Sequence, residues 1–179
     1  MPKALMLEEK INPPAGVTMR LTDDGEVRVS GPLGTLSRRL PGGDYEIVSE
    51  GEALVVRGAG LRKEQRAMFG TVVALIRGMI EGVTKGFEKE LIIAYSHFPM
   101  NVKVEGSRVV IENFIGERGK RYANVVGDTK VEVSGDRIRV SGPDKYAVGQ
   151  TAANISSACN LSDYDRRVFQ DGIFVRVRS

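Results

Sequence analysis

The chain has 179 residues, of which 41% are hydrophobic and 27% are charged, a composition typical of a folded globular protein. One cysteine, Cys159, and one histidine, His97, exclude a disulfide framework and a structural zinc site, which needs about four such ligands. The net charge of +3 lies entirely in the second half, because residues 1–82 carry 11 basic and 11 acidic side chains whereas residues 83–179 carry 15 and 12.

The amino-terminal segment gives no targeting or membrane signal. M-P-K-A-L-M-L-E-E-K contains an apolar run of four residues, and a secretory signal needs roughly 7–15. The longest apolar run elsewhere is T-V-V-A-L-I, far below the roughly 20 residues of a membrane-spanning helix. The sequence therefore predicts a soluble cytosolic protein with no membrane partner.

The first half reads as short strands followed by one helix. V-T-M-R-L and E-V-R-V-S alternate around a D-D-G turn, which predicts a hairpin, and T-L-S-R-R-L, Y-E-I-V and A-L-V-V-R predict three further strands. The apolar period then changes to 3.6, which predicts a helix of about twenty residues with one apolar face: Phe69, Val72, Val73, Ile76, Ile80 and Val83. Gly70 and Gly78 interrupt it, and since glycine costs about 1 kcal/mol in a helix, we expect them to permit close packing on the sheet.

The second half repeats this order. The predicted strands are E-L-I-I-A-Y, M-N-V-K-V, R-V-V-I-E-N, R-Y-A-N-V, K-V-E-V and R-I-R-V. A second helix is predicted to begin at Pro143-Asp144, because proline and aspartate suit a helix start. Its inward face is predicted to hold Val148, Thr151, Ala152, Ile155 and Cys159, with small Ala and Gly residues allowing close approach to the sheet.

The two halves correspond at a shift of 80 to 86 residues. Residues 66–76 match 146–156, residues 55–58 match 139–142, and residues 47–49 match 132–134. A second pair of similar segments, V-R-V-S-G-P and I-R-V-S-G-P, lies 111 positions apart but has unlike neighbours, so these two are not equivalents. We predict an α+β fold with two similar domains from an internal duplication, residues 1–82 and 83–179, each with a small antiparallel sheet and one main helix.

The sequence offers little support for an enzyme. G-A-G-L-R-K, residues 58–63, sits between a strand and a helix but lacks the third glycine of a dinucleotide fingerprint, so a plain turn is favoured. Cys159 and His97 carry no flanking motif and are interpreted as a packed thiol and a turn histidine. We therefore predict no catalytic residue, no cofactor and no small-molecule substrate.

Two segments of the second half are candidates for binding phosphate-rich RNA. Lys145 falls in the first turn of the second helix, where free N–H groups and the helix dipole favour anions. Gln150 and Asn154 share one helical face and suit either RNA recognition or simple solvation of a surface helix, two alternatives that spacing leaves open. The last fourteen residues carry Arg166, Arg167, Arg176 and Arg178 against one acid, Asp171, which favours a folded basic edge over a loose solvated tail.

Two longer motifs give the chain a family resemblance. G-P-D-K-x-x-V-G-Q-T-A-A-N-I and the ending R-R-V-F-Q-D-G-I-F-V-R-V-R resemble the universal large-ribosomal-subunit protein six family. The ending R-x-F-x-D-G, filled by Arg167, Phe169, Asp171 and Gly172, is similar to its archaeal and eukaryotic branch. The lysine-rich ending P-Y-K-G-K-G of the bacterial branch does not occur.

The resemblance implies two α+β domains and a structural role in the ribosome of the cytoplasm. It implies binding to large-subunit rRNA, mainly through the second domain, near the sarcin–ricin loop and the landing site of translational GTPases, among neighbouring ribosomal proteins. Carried onto this sequence, the implied contacts are Lys145, Gln150, Asn154, Arg166, Arg167, Arg176 and Arg178. Two other interpretations stay open from the residues alone: a nucleotide-binding enzyme that uses G-A-G-L-R-K, and a protein-interaction module that binds no RNA.

Overall fold

The structure is a computed structural model that describes residues 6–22, 24–96, 98–162 and 164–176. The predicted turn histidine, His97, and the predicted contact Arg178 lie outside the described residues. The chain divides into two compact units, Met1–Gly86 and Phe87–Ser179. Each unit has its own buried apolar core.

The first unit has six strands and one helix: β1 (Met6–Ile11), β2 (Thr18–Leu21), β3 (Glu26–Gly31), β4 (Gly34–Arg39), β5 (Glu46–Glu50), β6 (Ala53–Ala59) and α1 (Lys63–Thr84). The strands form two antiparallel sheets in the orders β1-β6-β5 and β2-β3-β4. The predicted hairpin is confirmed as β2 and β3, with Met19 opposite Val29. Strand β1 was not predicted, because its exposed and half-buried residues give only a weak alternation.

The second unit has the strands β7 (Phe87–Ala94), β8 (Asn101–Glu105), β9 (Arg108–Glu112), β10 (Arg121–Asn124), β11 (Lys130–Ser134), β12 (Arg137–Gly142) and β13 (Gly172–Val175), a short 3-10 helix (Phe114–Gly116) and α2 (Lys145–Ala158). Its antiparallel sheets have the orders β10-β9-β8 and β11-β12-β7-β13. Strand β13 confirms that apolar residues in the basic carboxyl-terminal segment belong to a folded edge.

The sheet orders confirm the duplication. The order β1-β6-β5 corresponds to β7-β12-β11, and β2-β3-β4 corresponds to β8-β9-β10, with one helix after the sixth strand of each unit. The second unit adds β13 beside β7. The α+β prediction with antiparallel strands is therefore confirmed, and the strands of each unit are divided between two sheets. Along the chain, the first unit ends at Gly86 and the second begins at Phe87. The predicted boundary at residue 82 lies two residues before the end of α1.

Helix α1 buries the predicted apolar face, except that Met79 takes the buried position predicted for Ile80. Phe69, Val72, Val73, Ile76 and Val83 are buried, as is Met79, while Ile80 is half-buried. The expectation for Gly70 and Gly78 was wrong, because an added Cβ at either position would meet no atom within 4 Å. The close approach occurs instead at Gly31 of β3, where an added Cβ would lie 2.9 Å from the carbonyl oxygen of Val83.

Helix α1 is the one helix in the described part of the chain that is long and apolar enough to span a membrane. By itself this is weak evidence, since core helices of soluble proteins share these properties. Its apolar face lies in the core of the first unit together with residues from β2, β3 and β6. This packing accounts for the apolar character of the helix.

Helix α2 begins after Asp144, whose side chain accepts a hydrogen bond of 2.8 Å from the backbone N–H of Tyr146. Proline therefore stands before the cap rather than in the first turn. The predicted inward face is confirmed: Val148, Thr151, Ala152, Ile155 and Cys159 are all buried. Of the small residues, Ala147 and Ala152 are buried against the sheet side, whereas Gly149 has open space around its Cβ position.

Candidate nucleic-acid interface

The first group of predicted contacts lies at the start of α2. Lys145 is exposed, and its Nζ lies 5.8 Å from the centre of the Phe87 ring, a cation–π contact with the beginning of β7. The ammonium group is thus held at one end of the sheet beside the amino terminus of the helix. Cation and helix dipole together favour an anion at this position.

Gln150 and Asn154 form a connected pair on the outer side of α2. The Gln150 side-chain amide donates to Asn154 Oδ1 at 2.9 Å, and Asn154 Nδ2 donates to the backbone oxygen of Asn124 at 2.9 Å. Asn154 therefore fastens the helix to the end of β10 and is half-buried, whereas Gln150 is exposed. The Asn154 amide is thus engaged by the backbone of another element, whereas the Gln150 amide bonds the Asn154 side chain and faces solvent.

Arg166 and Arg167 lie in the irregular segment between α2 and β13. Arg166 Nη2 donates to Asn160 Oδ1 at 2.9 Å, which fixes it beside the end of α2. Arg167 is almost fully exposed and bonds both carboxylate oxygens of Asp165, at 3.2 and 3.1 Å. These bonds lower the pKa of Asp165. Because the Arg167–Asp165 pair is exposed, it can exchange for a phosphate at little cost.

Arg176 follows β13 and is tied to β7. Its backbone N–H donates to the Glu90 carbonyl at 2.8 Å, and its guanidinium bonds the Glu90 carboxylate at 3.0 Å. Arg137 of β12 contacts the same carboxylate at 3.2 Å, so two arginines share one acid on this sheet.

Two of the predicted cations, Lys145 and Arg166, therefore fall at opposite ends of one helix. Lys145 stands at its first residue, and Arg166 beside Asn160 just beyond its last. A helix of this length spans about 21 Å, several times the reach of a single phosphate contact. The structure does not gather these residues into one pocket, and an extended polyanion is the ligand that could reach both groups.

A cavity of about 610 Å³ opens at the carboxyl-terminal end of α2. Its walls come from the end of β7, the end of α2, the following segment and the start of β13: Ala94, Tyr95, Ser96, Ser156, Cys159, Asn160, Leu161, Arg166, Phe169, Gln170, Asp171, Gly172, Ile173 and Phe174. Burial raises the pKa of the Cys159 thiol to about 11, which confirms a packed thiol and makes it a poor nucleophile at neutral pH. Among the residues that the structure describes, no cluster of three His, Cys, Asp or Glu side chains suits a metal ion.

The sequence interpretation did not identify Arg121, a residue that organises this end of α2. Its guanidinium lies 4.4 Å from the Phe114 ring centre and donates to the carbonyls of Ala158 and Asn160 at 2.9 and 3.0 Å. It also bonds both oxygens of Glu117, which lowers the pKa of that carboxyl. An arginine at the start of a short strand gives no sequence signal for such a role.

Comparisons with known proteins agree with this architecture. A family model described as Ribosomal protein L6 matches residues 13–86 and again residues 98–172, once in each unit. The chain is 46% identical over 173 residues to the large ribosomal subunit protein uL6 of Methanothrix thermoacetophila, which covers 95% of this chain and 98% of that protein. It is 48% identical over 164 residues to the uL6 of Methanosarcina mazei, covering 90% and 92%, and 42% identical over 179 residues to that of Aeropyrum pernix, covering 99% and 98%. These matches extend over both units and over the segment that carries the predicted contacts, and the chain therefore belongs to the Ribosomal protein L6 family.

Proposed function

We propose that this protein is a structural constituent of the large ribosomal subunit and binds large-subunit rRNA mainly through its second unit. The observation that carries the proposal is the similarity to ribosomal proteins over nearly the whole chain. The relatives are ribosomal proteins rather than enzymes, and the protein works in the ribosome of the cytoplasm. Neighbouring ribosomal proteins are its expected protein partners.

The charge distribution supports a role for the second unit in RNA binding. Among its exposed cations, Lys145 stands at the start of α2, and Arg166 and Arg167 follow its end. Arg and Lys neutralise phosphates, while backbone amides and polar side chains such as Gln150 fix the register on folded RNA. Arg176 extends the basic edge along β13, and Arg178 follows it outside the described residues.

The proposed position is close to the sarcin–ricin loop, beside the site where translational GTPases dock. This finer placement rests on the family resemblance of the motifs that hold Lys145 and Arg167. Catalysis has no part in the mechanism: the protein positions RNA by neutralising phosphates along one face of a rigid unit, and nearby GTPases would meet an RNA surface that the protein has stabilised.

A salt-titrated binding assay tests the proposal. The full chain is mixed with an rRNA fragment that spans the sarcin–ricin region, and with an unrelated structured RNA of equal length. We expect tighter, salt-sensitive binding to the first RNA. The double variant Arg166→Ala/Arg167→Ala should weaken this binding and reduce the slope of log K against log salt by about 1.4 to 1.8, since each lost phosphate contact contributes roughly 0.7–0.9.

The matched control is Arg20→Ala/Arg28→Ala. It removes the same charge from exposed, directly opposed positions of β2 and β3 in the first unit, and it should leave affinity and slope nearly unchanged. Weak and equal binding of the wild-type chain to both RNAs would contradict the proposal and favour a protein-docking module. An unchanged slope in the Arg166/Arg167 variant would contradict the assignment of these two residues.

A further inference from the structure

Asp171 places a carboxylate on the wall of the cavity at the carboxyl-terminal end of α2. Asp171 is only 8% exposed and lines the cavity. Among the described residues, no side-chain oxygen is both buried and without a hydrogen-bond partner, so the Asp171 carboxylate is reachable from the cavity rather than sealed in the core. A carboxylate that faces a cavity can accept hydrogen bonds, so its place on the wall suits a ligand that supplies donors.

Aromatic rings form much of the remaining wall. Tyr95, Phe169 and Phe174 line the cavity and are 50%, 38% and 51% exposed. The Phe174 ring lies directly over Gly172, where an added Cβ would be 2.9 Å from the ring. Phe169 is braced edge-on by Tyr164, with ring centres 4.9 Å apart. Exposed flat rings around a cavity suit a planar ligand that stacks.

Arg166 adds a cation to the same cavity. Its bond to Asn160 holds the guanidinium beside the end of α2, and Arg167 follows directly in the chain. A lone cationic side chain from another protein would satisfy Asp171 and the rings but would be repelled by Arg166. A flat group that offers hydrogen-bond donors and is attached to a phosphate satisfies all three features.

We propose that this cavity binds an unstacked guanine of an RNA strand, with Asp171 as the reader of the base. Guanine is the base whose Watson–Crick edge presents two adjacent donors, N1–H and the N2 amine, and an ionised carboxylate accepts both at once. The aromatic rings stack on the base, and Arg166 contacts the attached phosphate. The inference rests on the proposed function, since it assigns one base-specific contact within the RNA-binding unit.

The test uses the full-length chain and short labelled RNAs, with binding measured by fluorescence anisotropy at low salt. The probes are a heptanucleotide of uridines with one central guanine and the same RNA with inosine or adenine at the centre. Inosine lacks only the N2 amine. We expect the wild-type protein to bind the guanine RNA about tenfold more tightly than the inosine RNA, the range of one bidentate base contact.

Asp171→Asn should bring the guanine-to-inosine affinity ratio close to one, because an amide cannot accept two hydrogen bonds in the same geometry. Asp128→Asn makes the same change of charge at an exposed turn outside the cavity and should keep the ratio of the wild type. Tyr95→Leu removes an exposed stacking ring and should weaken all three RNAs alike while the ratio persists.

A wild-type ratio near one, or a guanine preference that survives Asp171→Asn, would overturn the inference. So would Asp171-dependent binding of an arginine-rich peptide that the guanine RNA does not displace, since the cavity would then dock a protein. Salt-sensitive binding to the sarcin–ricin fragment is measured in parallel. If that binding is intact and the ratio is one, only the inference fails, whereas loss of the fragment binding itself refutes the proposed function.

Discussion

At the scale of single residues, the second unit depends on side chains that join distant parts of the chain. Arg121 connects β10 to the last turn of α2 through the Ala158 and Asn160 carbonyls, 37 and 39 positions away. The Ala158 carbonyl belongs to the last turn of α2, where the last four C=O groups have no partner within the helix, and Asn160 lies just beyond it. Arg121 thereby satisfies acceptors that its own neighbours in sequence could not reach.

Replacing Arg121 with Ala should lower the free energy of unfolding by about 2 kcal/mol, because hydrogen bonds from a charged donor are lost and two carbonyls are left without partners. Most of this loss comes from the carbonyl bonds, since the Glu117 side chain is 40% exposed and an ion pair open to solvent contributes little. Chemical denaturation of the full chain measures the change. Arg118→Ala, at an exposed position in the segment just before β10, is the control and should alter stability by less than about 0.5 kcal/mol. Equal effects of the two variants would refute the role of Arg121.

At the scale of elements, helix α1 comes into close contact with strand β3 of the first unit. It approaches β3 at Gly31. The Gly31 backbone lies so close to Val83 that a Cβ atom at this position would force Val83 or the strand to shift. Gly70 and Gly78 inside α1, by contrast, face open space. Their cost in helix propensity is therefore not offset by packing within the first unit.

Gly70→Ala should raise the free energy of unfolding by roughly 0.5–1 kcal/mol, because alanine loses less conformational freedom in a helix and meets no obstacle here. Gly31→Ala makes the same chemical change where the new Cβ would press on the Val83 carbonyl, and it should destabilise the protein by about 1–3 kcal/mol. Thermal unfolding of both variants checks the opposite signs. Stabilisation by Gly31→Ala would show that the close approach to Val83 is unimportant.

At the scale of the whole molecule, one topology occurs twice with different charge. Each unit contains its own apolar core, so each is expected to fold when expressed alone. Net positive charge and the proposed RNA contacts belong to the second copy, whereas the first copy has balanced charge. Duplication thus provides two similar scaffolds that can carry different surfaces.

Separate expression of residues 1–86 and 87–179 tests this division of labour. We expect the second fragment to bind the sarcin–ricin rRNA fragment at least about tenfold more tightly than the first, because electrostatic neutralisation of phosphates dominates such affinities. Circular dichroism establishes that both fragments are folded. Equal binding by two folded fragments would contradict a main role for the second unit.

Local patterns were sufficient to predict much of the fold. The alternation in residues 26–30 and 137–140 and the 3.6-residue period around Val72 and Ile155 placed strands and helices, because each element buries one face and the burial leaves a period in the sequence. Strand β1 was missed, since an edge strand with charged and half-buried residues has little period to detect. The packing role assigned to Gly70 was wrong because propensity says nothing about which atoms lie opposite a residue.

The candidate contacts were predictable only in part. A basic segment and a helix start identified Lys145 and Arg167 as exposed cations, since charge and capping are local properties. The sequence did not reveal that Asn154 is bonded to Asn124 or that Arg176 shares Glu90 with Arg137. These partners are 30 to 86 positions distant in the chain, and no local pattern reports them.

The sequence by itself determined the α+β class, the duplication, the family and the half of the chain that carries the excess positive charge. Each of these follows from residue order, periodicity or composition over short windows. Tertiary structure decided which cations are tied to acids, which carbonyls Arg121 satisfies, and that Asp171 faces a cavity with Tyr95 and Phe174. Such features arise where β7, β10, α2 and β13 pack together. Hydrogen bonds, ion pairs and burial there depend on distances across the fold, which the order of residues along the chain does not give.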